Sequence, residues 1–97
     1  MANASTPKIY TGTLTASIVD NITLTSATPT VTVVNQGLAT IWIRVDGADP
    51  VIGAAENYPC PAGAGIEIDI PKAIGSPTIV VKLISSSNPL YTVFGNA

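Results

Sequence analysis

Asp46 and Asp49 stand three positions apart in the run Asp46–Pro50, which also contains a glycine. Carboxylates in a flexible loop are ligands that Ca²⁺ prefers, and Glu56 could supply a third. A calcium loop, however, normally offers more oxygen ligands at alternating positions, and Asp-Gly and Asp-Pro are common turn-forming pairs. We therefore predict a turn without a metal, and keep a calcium site of Asp46, Asp49 and Glu56 as the alternative.

Glu67 and Asp69 form a second pair of carboxylates, on alternate residues of a predicted strand. Their Cα atoms would lie about 7 Å apart on one strand face, so the pair could be taken for the two acids of a glycosidase. Only 5% of the residues are aromatic, and nothing near the pair suggests a sugar cleft. We predict a strand face in contact with solvent.

Cys60 is the only cysteine, it lies between two prolines, and the chain contains no histidine. A reactive thiol needs a neighbouring cation, a histidine or a helix N-terminus, and none is present in the local sequence. The serines at 85–87 likewise have no histidine to act as their general base. We predict that Cys60 is a buried apolar side chain and that the protein is not an enzyme and has no cofactor.

The chain is poor in charge, with 10% charged and 46% apolar residues over 97 positions. This length fits one domain, and the composition excludes disorder, which requires high charge with low hydrophobicity. Nucleic-acid binding needs clustered cations, whereas those of this chain are scattered singly at Lys8, Arg44, Lys72 and Lys82. There is no signal-peptide pattern and no apolar run near the ~20 residues that span a bilayer. We expect a reducing cytoplasm as the site of synthesis, and neither nucleic acid nor membrane as a partner.

Apolar residues alternate with polar ones along most of the chain, a period that is typical of β-strands. In Ile66–Ile70, three isoleucines share one face and two carboxylates the other. The predicted strands are Ile9–Leu14, Ser17–Leu24, Thr30–Val34, Thr40–Val45, Ile66–Ile70, Thr78–Ile84 and Leu90–Phe94. About seven short strands separated by Gly, Asn, Asp and Pro turns predict an all-β fold, either an antiparallel β-sandwich or a small barrel.

Two places depart from this simple pattern. Asp20 falls on the same side of its strand as Ile22 and Leu24, so we expect a bulge or an edge position there. The segment 46–65 holds four Gly and three Pro, which makes it the longest connection in the chain. Loops of this length are often functional, and the alternative is a crossover between sheets with one short strand at Val51-Ile52.

The first seven residues contain no large apolar residue after the initial methionine. Termini without apolar anchors are usually extended or frayed. We predict an N-terminal arm over residues 1–7, followed by a single β domain over residues 8–97.

With so few charges, the surface must be covered largely by small uncharged side chains, and the chain has 12 Thr and 7 Ser. Such surfaces lose water at low cost, because no ion has to leave solvent. The composition therefore favours a protein that makes standing contacts with other subunits over a free monomer of low charge.

Several runs in the second and third parts of the chain carry a resemblance. They are Thr30–Gly37, ending in Asn-Gln-Gly; Thr40–Pro50, with Asp-Gly-Ala-Asp-Pro; Tyr58–Gly65, with Pro-Ala-Gly; Val80–Ser86, with Lys-Leu-Ile-Ser; and Tyr91–Gly95. This succession, over about residues 30–95, resembles small virion proteins of tailed bacteriophages. The resemblance implies a β-sandwich capsid decoration (cement) protein, made in the bacterial cytoplasm and located on the capsid surface of the virion.

A location on the capsid surface also implies which partners the chain would have. The partners would be the major capsid protein and further copies of the chain, as a homotrimer or dimer. The arm could lie across a neighbour or add a strand to it. The expected partner-binding residues are Ala2, Asn3, Ala4, Ser5, Thr6, Pro7, Trp42 and Tyr58. The alternative is a tail- or fibre-associated adhesin that binds carbohydrate through exposed aromatic residues, with Trp42, Tyr58 and Tyr91 as candidates.

Overall fold

A computed structural model describes residues 3–25, 29–70 and 78–96, and this part of the chain contains strands and no helix. The strands are β1 (Asn3–Thr6), β2 (Ile9–Thr13), β3 (Asp20–Leu24), β4 (Thr30–Asn35), β5 (Ile41–Arg44), β6 (Tyr58–Cys60), β7 (Gly65–Asp69), β8 (Ile79–Ser85) and β9 (Leu90–Asn96).

These strands form two sheets that pack face to face. The five-stranded sheet has the order β1-β3-β8-β5-β6, and the four-stranded sheet has the order β2-β9-β4-β7. Every pairing is antiparallel except that of β1 with β3, which is parallel. The chain changes sheet at every connection except the one from β5 to β6. The prediction of an all-β sandwich is confirmed.

The core lies between the sheets and is built from the alternation that the sequence shows. Val31 and Val33 of β4 are fully buried, while the residues between them face outward. In β8 the same alternation buries Val81 and Leu83. The other fully buried aliphatic side chains are Leu14, Ile22, Leu24, Ile41, Ile43, Ile68 and Val93. β-branched residues fit this pleated, half-buried surface, which explains why they mark the strands so clearly.

The seven predicted strands are all present, with ends shifted by up to three residues, and two further strands occur. β6 lies in the long connection at residues 58–60, and Val51-Ile52 forms no strand. A proline within a run normally argues against a strand, but Pro59 is tolerated because β6 is an edge strand, whose outer side needs no hydrogen-bond donor.

β1 is the second additional strand, and it changes the interpretation of the N-terminus. Residues 3–6 pair with residues 21–24 of β3, and the Asn21 side-chain amide donates to Oδ1 of Asn3 over 2.9 Å. Ala4 packs against the core. The expectation of an arm separate from the domain therefore fails for residues 3–6, which are an edge strand of the chain's own sheet. Ala2 lies outside the described residues.

The sequence predicts a bulge or an edge position at Asp20, and this prediction is wrong. β3 lies between β1 and β8, and its register with β8 is continuous from Asp20 to Leu24. Asp20 is 1% exposed, and one carboxylate oxygen accepts a hydrogen bond from the Tyr91 hydroxyl at 2.8 Å. The strand stays regular because the inward carboxylate is hydrogen-bonded, and a buried polar group costs little once it has partners.

Candidate interaction surface

The outer face of the four-stranded sheet is uncharged over three of its four strands. We call it the threonine face. It is formed by the outward residues of β2, β9 and β4, namely Ile9, Thr11, Thr13, Leu90, Thr92, Phe94, Asn96, Thr30, Thr32 and Val34. Glu67 and Asp69 of β7 border it on one side and are exposed, as predicted.

Side-chain hydrogen bonds run across this face from strand to strand. The hydroxyls of Thr11 and Thr92 lie 3.0 Å apart in neighbouring strands. The Asn96 amide donates to the hydroxyls of Thr30 at 3.1 Å and Thr32 at 2.8 Å. Much of the polar capacity is thus satisfied within the face. Apolar side chains are also exposed on this face, among them Ile9 at 58% and Leu90 at 42%.

One end of the sandwich is also free of exposed charge. Four connections meet there, residues 14–19, 36–40, 61–64 and 86–89, and none contains a charged residue. We call this the uncharged end. Backbone and side-chain hydrogen bonds join the connections: the Leu14 amide donates to the Pro89 carbonyl at 3.0 Å, and the Ser85 hydroxyl to the Thr40 carbonyl at 2.8 Å.

Apolar side chains project from the uncharged end. Leu38 is 99% exposed, and Ile18 and Leu90 are exposed beside it in neighbouring connections or strand ends. Gly37 permits this arrangement, because a Cβ there would approach the Pro89 Cβ to 2.3 Å. The connection that carries Leu38 is therefore held tightly against the connection before β9.

The loop between β5 and β6 lies at the opposite end. It contains Asp46, Asp49 and Glu56, the three carboxylates considered as calcium ligands. Asp46 accepts a hydrogen bond from the Arg44 Nε at 3.0 Å and one from the Ala48 amide at 3.1 Å. Asp49 lies 2.9 Å from the Lys82 ammonium of β8. Hydrogen bonding from Arg44 lowers the pKa of Asp46 to about 2, and the same contact raises the pKa of Arg44.

Two carboxylates of this loop are paired with cationic side chains. Asp46 and Asp49 each bind a different cationic side chain, and Asp46 also caps a turn through Ala48. Among the described residues, no three His, Cys, Asp or Glu side chains are grouped to hold a metal ion. The predicted turn is present, and the structure does not group Asp46, Asp49 and Glu56 around one point.

Trp42 and Tyr58, the two predicted aromatic contacts, lie on different sides of the five-stranded sheet. Trp42 is partly buried on the outer side, between Ile84 of β8 and Pro59 of β6 in the ladder. Tyr58 is exposed at the sheet edge, where it lines a hollow of about 140 Å³ with Arg44, Val45, Asp46 and Glu56. The structure does not bring them together. Tyr91, the third aromatic residue considered, is fully buried.

Cys60 is fully buried, and its thiol faces the carbonyls of Ala64 at 3.4 Å and Val33 at 3.6 Å. Burial raises the pKa of this thiol, which disfavours the reactive thiolate. The prediction that Cys60 is buried is confirmed.

The threonine face escaped sequence reasoning, although a signal for it was present. Thr11 and Thr13, and likewise Thr30 and Thr32, occupy alternate positions of their strands. Alternate residues share a face, so threonine pairs at this spacing predict an uncharged strand face. Their gathering on one sheet depends on the strand order, which the sequence does not display.

No family model, curated protein or solved structure matches this chain. The described residues contain no helix that is long and apolar enough to cross a bilayer.

Proposed function

We propose that this chain is a non-enzymatic structural protein of a tailed-phage virion, of the capsid decoration type. In this role it binds the lattice of a major capsid protein, associates with its own copies and stabilises the head. It is synthesised in the bacterial cytoplasm and ends on the capsid surface, with neither nucleic acid nor membrane as partner.

The observation that carries this proposal is the separation of charged from uncharged surface. The threonine face and the uncharged end adjoin at Leu90, which belongs to both. Apart from the buried Asp20, the charged residues of the described chain lie outside β2, β9 and β4. Glu67 and Asp69 are on the neighbouring strand β7, and the others are Lys8, Arg44, Asp46, Asp49, Glu56 and Lys82, of which Arg44 and Lys82 are half-buried. The cores of stable protein interfaces are depleted in charge in the same way.

A decoration protein must hold its lattice through many repeated contacts. Each contact can be weak, because linked sites raise the effective concentration of the next contact and the whole assembly binds by avidity. Small uncharged side chains suit this role, since a threonine surface loses water without a charge being desolvated.

The chemistry of the described residues favours binding over catalysis. Cys60 and Tyr91 are fully buried, and the pKa of each is raised by burial, so neither is prepared to act as a nucleophile or base at neutral pH. The burial of Tyr91 also removes it from any aromatic platform for a carbohydrate, so the adhesin alternative keeps only Trp42 and Tyr58.

The test is to mix the purified protein with expanded empty capsids of the phage that encodes it and to measure co-sedimentation. We expect saturable binding at a fixed ratio to the capsid protein. Leu38→Glu places a charge on the uncharged end, and we expect it to weaken binding at least about tenfold, as is typical of charge introduced into an interface core.

Val51→Glu is the matched control, because Val51 is also an exposed aliphatic residue, at 62%, but lies in the charged loop. It should bind as the unmodified protein does. Absence of stoichiometric binding by the unmodified protein would overturn the proposed function. Equal losses in both variants would overturn the assignment of the uncharged end as the contact surface.

A further inference from the structure

The two edges of the four-stranded sheet differ in how they are protected. β7, at one edge, carries Glu67 and Asp69, and charged residues on an edge strand oppose pairing with another chain. β2, at the other edge, has the sequence Ile-Tyr-Thr-Gly-Thr with no charge, no proline and no bulge in its pairing with β9. No other described strand pairs with its outer side.

The two edge strands of the five-stranded sheet are less suited than β2 to pairing with another strand. They are β1 and β6, of four and three residues, and β6 contains Pro59. Short edge strands and prolines both limit strand addition. β2, with five residues, is therefore the longest described edge strand without such protection.

The hydrogen bonds at the two ends of β2 show which of its backbone groups are free. The Gly95 amide donates to the Lys8 carbonyl at 2.9 Å, and the Leu14 amide to the Pro89 carbonyl at 3.0 Å. In an antiparallel ladder, residues that bond to the neighbour alternate with residues whose backbone points away. The backbone N–H and C=O groups of the even-numbered residues of β2 thus point towards β9. Those of Ile9, Thr11 and Thr13 point away from the sheet.

One of these outward groups already has a partner. The Thr6 hydroxyl donates to the Ile9 carbonyl at 2.8 Å, which also confirms that this carbonyl points away from β9. The outward N–H and C=O groups of Thr11 and Thr13 make no hydrogen bond with a described residue.

We propose that β2 pairs antiparallel with β2 of a second copy, about a two-fold axis at Thr11, to join two four-stranded sheets into one of eight strands. The inference rests on the self-association included in the proposed function and deepens it by naming the contact. In this register Thr11 lies opposite Thr11 of the second copy, and their backbones exchange two hydrogen bonds.

Side chains on the threonine face fit this register. The row Val34, Thr92, Thr11 continues directly into the same row of the second copy. Ile9 lies opposite Thr13 of the second copy, so the row of Phe94 and Ile9 meets the row of Thr13 and Leu90. Cross-strand pairs of threonine, and of aliphatic with β-branched residues, stabilise sheets. Pairing would cover part of Ile9, which is 58% exposed.

A second copy fits this edge better than an unrelated strand, for reasons of charge and symmetry. The edge is uncharged, so an identical uncharged edge meets it without repulsion and without desolvation of an ion. An isologous contact also closes at two subunits. Pairing of β2 with β7 of another copy would instead bring Glu67 and Asp69 to an apolar edge and would continue into a filament.

The first measurement is the mass of the unmodified protein by sedimentation equilibrium over a range of concentrations. We expect a shift from the 9.9 kDa chain towards twice that mass. Amide exchange by NMR then locates the contact: the Thr11 amide should exchange at least about tenfold more slowly in the dimer than in the monomer. The Tyr10 and Gly12 amides, which face β9, should be protected in both.

Two variants at one position separate backbone from side chain. Thr11→Pro removes an amide that makes no hydrogen bond with a described residue, so the monomer can fold, as prolines are tolerated on the outer side of edge strands. It should abolish the dimer. Thr11→Val keeps the amide and should leave the dimer intact.

A mass of 9.9 kDa at all concentrations would overturn the inference. So would a dimer whose Thr11 amide stays unprotected, or a dimer of folded Thr11→Pro protein; a mass that grows beyond two would indicate the filament instead. If Thr11→Pro does not fold, the exchange measurement decides alone. A dimer that does not bind capsids would refute the proposed function and leave the inference standing.

Discussion

At the scale of single residues, the contact between Asp20 and Tyr91 links the two sheets through the core. Asp20 belongs to the five-stranded sheet and Tyr91 to the four-stranded sheet, and both side chains are almost fully buried. Burial raises the pKa of Tyr91, and its hydrogen bond to Asp20 raises it further. The hydroxyl therefore stays a donor and fixes the position of β9 relative to β3.

Tyr91→Phe removes this donor while it keeps the ring. We expect the free energy of unfolding to fall by about 1–3 kcal/mol, the usual cost of removing a hydrogen bond from a buried acceptor. Urea unfolding followed by tryptophan fluorescence measures it.

Tyr58→Phe is the matched control for that substitution. The Tyr58 side chain is exposed and its hydroxyl bonds to no described residue, so the change should stay within about 0.5 kcal/mol. Equal stability of the two variants would show that the buried hydrogen bond contributes nothing.

At the scale of elements, the loop between β5 and β6 is fixed to the outer side of the five-stranded sheet by an exposed ion pair. Asp49 in the loop pairs with Lys82, an outward residue of β8. Within the loop, the Asn57 side chain donates to the Val51 carbonyl. The loop lies over the outer side of this sheet, and none of its residues from 46 to 57 belongs to the hydrophobic core cluster.

Asp49→Asn should loosen this loop without affecting the sandwich. An exposed ion pair contributes about 0–1 kcal/mol, so we expect amides of residues 48–56 to exchange up to about fivefold faster. The melting temperature should fall by no more than about 4–8 °C, the shift that a loss of 1 kcal/mol causes in a domain of this size.

Glu67→Gln provides the control for the loss of one exposed negative charge, because Glu67 lies on the other sheet. It should leave exchange in the loop unaltered. Unchanged loop exchange in Asp49→Asn would mean that the ion pair does not hold the loop, whereas a large fall in melting temperature would mean that the loop belongs to the folding core.

At the scale of the whole molecule, the scarcity of titratable groups determines how stability responds to pH. The pKa of Asp46 is lowered from 3.8 to about 2, so its contribution is complete above its ordinary pKa and is lost as the pH falls towards 2. The pKa values of Cys60 and Tyr91 are raised from 9.0 and 10.0, so their contributions are complete below those values and are lost above them.

Because the chain has no histidine, these shifts leave a wide range of pH in which the free energy of unfolding does not change. We expect the free energy of unfolding to be constant within about 0.5 kcal/mol between about pH 5 and pH 8, and to fall in alkali because the unfolded chain loses protons that the folded chain keeps. Urea unfolding at unit pH intervals measures this. A slope between pH 5 and pH 8 would contradict it.

Much of the fold could be predicted from local pattern. Alternation in Thr30–Val34 and Ile66–Ile70 marks strands because a strand with one buried face needs an apolar residue at every second position. β1 and β6 could not be found in this way. Asn3–Thr6 holds almost no apolar surface and Tyr58–Cys60 contains a proline, so both are strands only because a neighbouring strand offers backbone hydrogen bonds.

The candidate surface, too, could be predicted only in part. The sequence by itself determined that the surface is poor in charge, that Cys60 is apolar in character and that no histidine is available for catalysis, because these follow from which residues are present. Only the tertiary structure decided where the uncharged residues gather, that Asp20 points into the core and that β2 is an open edge. Those facts depend on strand order and register, which arise from contacts between residues far apart in the chain.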